Sequence, residues 1–185
     1  MKTNQKKSVR TLLVIMLCCA FTPAAAQRIA IKTNALQWAT LSPNLGVQLF
    51  LSDRISLDLS AGGNPFTIGQ YKLNYLMVEP EVRYWFGRPL TGHTAGITLP
   101  YVDNDLGLNG TRYKGQVFGI GATYGYYWVL GRRWSMGVTA GLGMARYRQF
   151  KYKSDDPAGR PAEPNLCGWT AAPLNLSCSF SYILR

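Results

Sequence analysis

The chain has 185 residues, of which 47% are hydrophobic and 16% charged, with 20 Lys and Arg against 9 Asp and Glu. Four of the basic residues, Lys2, Lys6, Lys7 and Arg10, stand in the first ten positions with no acidic residue among them. A single histidine and no cysteine pair at ligand spacing exclude the usual zinc sites.

The N-terminal basic stretch precedes an apolar run from Leu12 to Phe21 and the small-residue segment Pro23-Ala24-Ala25-Ala26-Gln27. This is the layout of a secretory signal peptide, and the apolar run is far shorter than the ~20 residues of a membrane-spanning helix. We expect residues 1–26 to be a leader cut between Ala26 and Gln27. Neither Cys18 nor Cys19 follows the small residue that lipidation requires. Residues 27–185 then form one domain, with 16 basic residues against 9 acidic ones, and no nucleic-acid partner is expected.

Period two governs that domain. A first strand is expected over roughly 28–38. Leu45, Val47, Leu49 and Leu51 lead through Ser52-Asp53-Arg54 into Ile55, Leu57, Leu59 and Ala61, which reads as a hairpin. Residues 78–86 pair with 93–101 across Gly87-Arg88-Pro89. Phe118, Ile120, Ala122, Tyr124, Tyr126 and Trp128 alternate with Gly119, Gly121, Thr123, Gly125 and Tyr127, and a matching strand starts at Trp134 after Gly131-Arg132-Arg133. At the C-terminus Leu174, Leu176, Cys178, Phe180, Tyr182 and Leu184 form one apolar phase, with Asn175, Ser177, Ser179 and Ser181 opposite. The total is eight strands, with short turns near 53, 88 and 132. Longer links near 62–73, 102–113 and 146–172 alternate with them, and the short link at 39–44 is a mild misfit to that side.

No later segment is long enough for a helical span, so any membrane crossing must be made by strands in a closed sheet. A soluble barrel of lipocalin type alternates equally well, but with its apolar phase inside. Its wet outer face should be rich in Lys and Glu; here the polar phase is Gly, Ser and Thr, sized for a narrow interior. Tyr84, Phe86, Tyr101, Tyr126, Trp128, Trp134 and Tyr182 fall toward strand ends, as interfacial girdles do. We therefore expect an all-β fold: an eight-stranded antiparallel transmembrane β-barrel, an up-and-down meander integral to the cell outer membrane. Its partners would be outer-membrane lipids, the barrel-assembly machinery during biogenesis, and an envelope protein.

Short motifs in a fixed order add to this reading. Lys32-Thr33-Asn34, Ser42-Pro43-Asn44-Leu45-Gly46-Val47, Arg83-Tyr84-Trp85-Phe86-Gly87, Gly92-His93, Tyr113-Lys114-Gly115 through Tyr124-Gly125-Tyr126, Arg132-Arg133-Trp134 and Gly141-Leu142-Gly143 lie in sequence along the chain. With them the chain resembles the Bacteroidetes outer-membrane barrel family catalogued as domain of unknown function 3575, over roughly 29–184. The resemblance implies an outer-membrane protein and brings no catalytic residues with it.

Among chemistry-bearing residues, His93 shares the apolar phase with Ala95, Ile97 and Leu99 and reads as interfacial. It is followed by Thr94 and Ala95, which lack the His-x-Ser pattern of lipid deacylases. No catalytic residue, metal site or cofactor is expected. Asp103-Asn104-Asp105 departs from a calcium loop in its glycine position and lack of a closing Glu, and reads as a solvated loop. Cys167 and Cys178 are expected to be unpaired, although a bend at Pro173 could bring them closer. Arg146, Arg148, Lys151, Lys153 and Arg160 make the last long loop basic, able to meet lipopolysaccharide phosphates. Lys32, Asp58, Glu79, Glu81 and Arg83 all take the polar phase and are expected to form a lumenal ion-pair network. The function expected is structural or interactive; the alternatives are a lipid-modifying enzyme and a narrow channel.

Overall fold

The computed structural model describes residues 28–184 apart from 69–70, 109 and 154–160. The expected leader at 1–26 and Arg160 lie outside the described residues. Ten strands and one helical turn follow in order: β1 (Arg28–Asn34), α1 (Ala35–Ala39), β2 (Asn44–Phe50), β3 (Ile55–Asn64), β4 (Thr67–Ile68), β5 (Tyr71–Trp85), β6 (Gly92–Thr98), β7 (Tyr101–Leu108), β8 (Thr111–Val129), β9 (Trp134–Lys153) and β10 (Leu166–Ile183).

All pairings are antiparallel, and they close on themselves. β1 pairs with β2 on one side and with β10 on the other, Ala30 opposite Ile183. β6 and β7 occupy one position in the ring, since both lie between β5 and β8, β6 along one half and β7 along the other. The break between them is Leu99-Pro100, where proline has no amide hydrogen to donate to the ladder. The two-residue β4 folds back on the start of β5. The result is a closed barrel of eight staves, as the alternation predicted.

Three expectations about boundaries are corrected. The first strand ends at Asn34, not near Trp38: the Asn34 side chain accepts a hydrogen bond from Leu36 N at 3.1 Å and caps α1. The expected link at 102–113 is a continuation of the barrel, with Asp103-Asn104-Asp105 in β7 and paired with Gln116, Gly115 and Lys114 of β8. The link expected at 146–172 likewise shrinks to the connection between Lys153 and Leu166. On β7, β8 and β9 the outward phase there turns polar at Asp103, Asp105, Lys114, Gln116, Arg146 and Arg148, so the apolar rhythm that marks a strand fades while the backbone pairing goes on.

Side-chain polarity is inverted relative to a water-soluble core. Among the described residues, 18 polar or charged side chains are buried against 6 hydrophobic ones, while Leu45, Leu59, Leu76, Ile97, Leu142 and Leu176 are each more than half exposed. Two aromatic rows flank the apolar outer band. Tyr84, Phe86, Tyr126, Trp128, Trp134 and Tyr182 lie at the short-turn end, in edge-on and tilted pairs. Trp38, Phe66, Tyr101, Phe118 and Trp169 lie toward the other end. Phe118 and Trp128 are ten residues apart on β8, ~33 Å of strand or ~25 Å along the barrel axis at a tilt of ~40°.

Candidate functional site

The lumen is filled in layers, and the glycines decide what can cross it. Closest to the short turns, Ala30, Phe50, Trp85, Leu90 and Tyr127 form a buried apolar cluster with Ile183 packed against it. Leu90 comes from the 86–91 turn, held at φ 59°, and is 1% exposed. Tyr127 lies flat across β9 because Gly137 is opposite it; a Cβ there would fall on the ring. Trp85 stacks edge-on against Tyr127 at 5.0 Å and donates its indole N–H to Ser56 Oγ at 2.8 Å.

The next layer holds the five charged residues predicted from the polar phase, and the barrel brings all five together. Register sets the acids and Arg83 side by side: Asp58 faces Glu81 and Ser56 faces Arg83 across β3 and β5. Lys32 reaches Asp58 from two strands away by passing over Gly46, whose missing Cβ would sit 2.8 Å from Lys32 Cγ. Lys32 Nζ lies 2.5 Å from Asp58 Oδ2, and Arg83 Nη2 lies 2.7 Å from Glu81 Oε2 and 4.0 Å from Asp58 Oδ2. Arg83 Nη1 donates to the Tyr127 hydroxyl. Glu81 also accepts from Thr123, and Asp58 Oδ1 accepts from Ser60 Oγ at 3.0 Å. Glu79 stands apart from the ion pairs, accepting from Thr98 Oγ1 at 2.9 Å and Asn175 Nδ2 at 2.6 Å. The space left beside Lys32, Glu79, Asn175 and Ser177 is about 20 Å³, the scale of one water molecule.

A third layer corrects the sequence reading of Leu174, which was placed on the outward apolar phase. A bulge between Pro173 and Asn175 inserts one extra residue in β10 against β9. Leu174 turns into the lumen, its methyl groups within 3.0 Å of the Cβ positions of Gly119, Gly121 and Gly143. Proline after proline-free alternation was the only signal for it. Tyr127, Trp85 and Leu174 thus complete a filled interior of which the sequence disclosed chiefly the charges.

Outside, His93 is exposed on the outer face. Its Nδ1 lies 2.7 Å from the Tyr124 hydroxyl, and its ring is edge-on to Tyr126 at 4.7 Å, within the turn-end aromatic row. Cys167 is exposed and Cys178 half-buried, and both are free thiols. Arg146, Arg148, Lys151 and Lys153 of the basic set expected in a loop are instead on β9, and alternation splits them. Arg146 points outward with its guanidinium 5.9 Å from the Trp169 ring, and Arg148 follows on the same face. Lys151 takes the opposite phase, 5.6 Å from the Tyr113 ring.

No curated protein matches the chain. A family model described as a protein of unknown function, DUF3575, matches residues 11–184. Covering nearly the whole sequence, that match makes the chain a member of the DUF3575 family.

Proposed function

We propose that this is an integral β-barrel of a bacterial outer membrane, exported by its N-terminal leader, with a structural or interaction role carried by its surface. The observation that carries the reading is the inverted polarity. An apolar outer band free of Asp, Glu, Lys and Arg among the described residues separates two aromatic rows. The ~25 Å between those rows matches the apolar height of outer-membrane barrels. In water that band would be a contiguous greasy belt far larger than monomers tolerate.

The filled lumen supports a barrel that does not conduct. An apolar cluster, a charged layer and Leu174 follow one another along the axis, and eight staves leave room for little else. His93 sits on the outer face, hydrogen-bonded to the Tyr124 hydroxyl within an aromatic row, across the sheet from the lumenal carboxylates Asp58, Glu79 and Glu81. That separation from the acids that would orient an imidazole base favours the non-enzymatic reading over a lipid-modifying enzyme.

Expression with its leader in a Gram-negative host tests the reading. The protein should remain in carbonate-washed outer membranes and migrate differently on gels before and after boiling. Recovery as a soluble periplasmic protein would refute it. Turnover of labelled outer-membrane lipids that is lost in a His93→Ala variant would install the enzyme instead, and step conductance in planar bilayers would install the channel.

A further inference from the structure

Beyond the Phe118 and Trp169 row, the outer face of the barrel changes character. Register places Asp103, Gln116, Arg148 and Cys167 side by side on β7, β8, β9 and β10, one row past Tyr101, Phe118, Arg146 and Trp169. Lys114 follows two residues further along β8, opposite Phe150. These residues surround a concavity of about 310 Å³ lined by Asp103, Lys114, Gln116, Arg148, Phe150 and Pro164. Arg148 is exposed, and Lys114 is 46% exposed, its ammonium 4.0 Å from the Asp105 carboxylate. Arg146, held over Trp169, stands at the lower edge.

We infer that this concavity binds the phosphorylated sugar headgroup of a glycolipid of the lipopolysaccharide class. The inference rests on the outer-membrane reading, which alone puts the row at the level where lipid headgroups begin. Lys114 and Arg148, outward cations on a diagonal between β8 and β9 and about 7–8 Å apart at Cα, suit a phosphate, and guanidinium and ammonium donors form charge-assisted bonds to its oxygens. A bare phosphate would be repelled by Asp103. A sugar resolves that conflict, because its hydroxyl and amide N–H groups donate to the Asp103 carboxylate and the Gln116 amide accepts or donates as needed. Phe150 and Pro164 supply apolar walls for the sugar's C–H faces. The acyl chains continue from the headgroup onto the apolar band below, past Phe118 and Met144. The volume fits a sugar ring with its phosphate and exceeds what a phosphate alone would fill.

The probes are the phosphorylated diglucosamine lipid core of lipopolysaccharide, its dephosphorylated form and phosphatidylethanolamine. Each is titrated by native mass spectrometry against the full-length mature barrel in detergent micelles. The phosphorylated glycolipid should bind at least tenfold more tightly than either other lipid. A Lys114→Gln, Arg148→Gln double variant should lose that margin, while Arg88→Gln, Arg132→Gln, the same charge change on the opposite rim, should keep it. Millimolar inorganic phosphate should not displace the glycolipid. Equal binding of the three lipids, an unaffected double variant or full displacement by phosphate would each overturn the inference. These outcomes differ from failure of the outer-membrane reading, because they are scored on protein that has passed the gel-shift and membrane-fraction tests.

Discussion

Replacing Arg83 with Met tests whether the charged layer is dry. The guanidinium is 1% exposed and is the cation nearest Glu81, with Asp58 at 4.0 Å and the Tyr127 hydroxyl on its other nitrogen. Removing it leaves the Glu81 carboxylate at 2% exposure with Thr123 as its remaining donor. Breaking a buried pair by deleting one partner costs about 3–5 kcal/mol, whereas an exposed pair is worth about 0–1 kcal/mol. With a urea slope of about 2 kcal/mol/M, Arg83→Met should lower the unfolding midpoint of the vesicle-embedded barrel by about 2 M. Adding Glu81→Gln removes the stranded charge, so the double variant should recover at least half of that loss, a coupling that a double-mutant cycle reads directly. A midpoint shift below about 0.5 M for the single variant, the surface-pair range at that slope, would mean that water reaches Arg83, and the filled-lumen account would fall with it.

Three other outcomes are expected. Ala140→Arg, on the outer face midway between Trp134 and Arg146, should destabilise the barrel by about 2–4 kcal/mol relative to Ala140→Leu, measured by urea unfolding in vesicles; near-equality would place that face in water. Gly137→Val should displace Tyr127 from its bed on β9 and lose the gel shift at temperatures the parent withstands. In a Cys167→Ser, Cys178→Ser background, an impermeant thiol reagent should label Glu163→Cys in intact cells and Asp53→Cys only after lysis. The reverse pattern would invert the barrel and remove the glycolipid site from the cell surface.

How far the sequence could be read depended on whether a residue's neighbours in space shared its phase. Lys32, Asp58, Glu79, Glu81 and Arg83 were legible because each takes the phase opposite apolar neighbours such as Ile31, Leu57, Leu59, Val78 and Val82. Stave number and order followed from the same alternation. Leu174 was not legible, because a bulge reverses phase without changing composition, and its register shift exists only against β9. The helical turn after Asn34 was hidden in a stretch whose residues suit a strand equally well, the decision resting on one side-chain cap. Leu90 belongs to a turn, where period two says nothing about direction. The extension of β7, β8 and β9 past the aromatic row escaped notice for another reason: the outward phase there turns polar at Asp103, Asp105, Lys114, Gln116 and Arg148, so the strand persists while its apolar rhythm fades.

The charged layer also bears on why the staves pair as they do. Apolar side chains on both faces of the sheet would make a one-residue slip between neighbouring strands nearly free, since each phase would look like the other. With the observed lumen, slipping β5 by one residue against β3 would carry Glu79, Glu81 and Arg83 onto the apolar band and leave Asp58 and Lys32 alone inside. Each stranded charge costs several kcal/mol, more than the alternative pairing could return from the same number of backbone hydrogen bonds. Hydrophobic replacements of matching volume could therefore leave the barrel equally stable and yet less certain of its register. The network's contribution is then to specificity of closure more than to net stability. Lys32 is central to that role, because its reach across Gly46 ties β1, the strand that meets β10 and closes the ring, to the acids on β3.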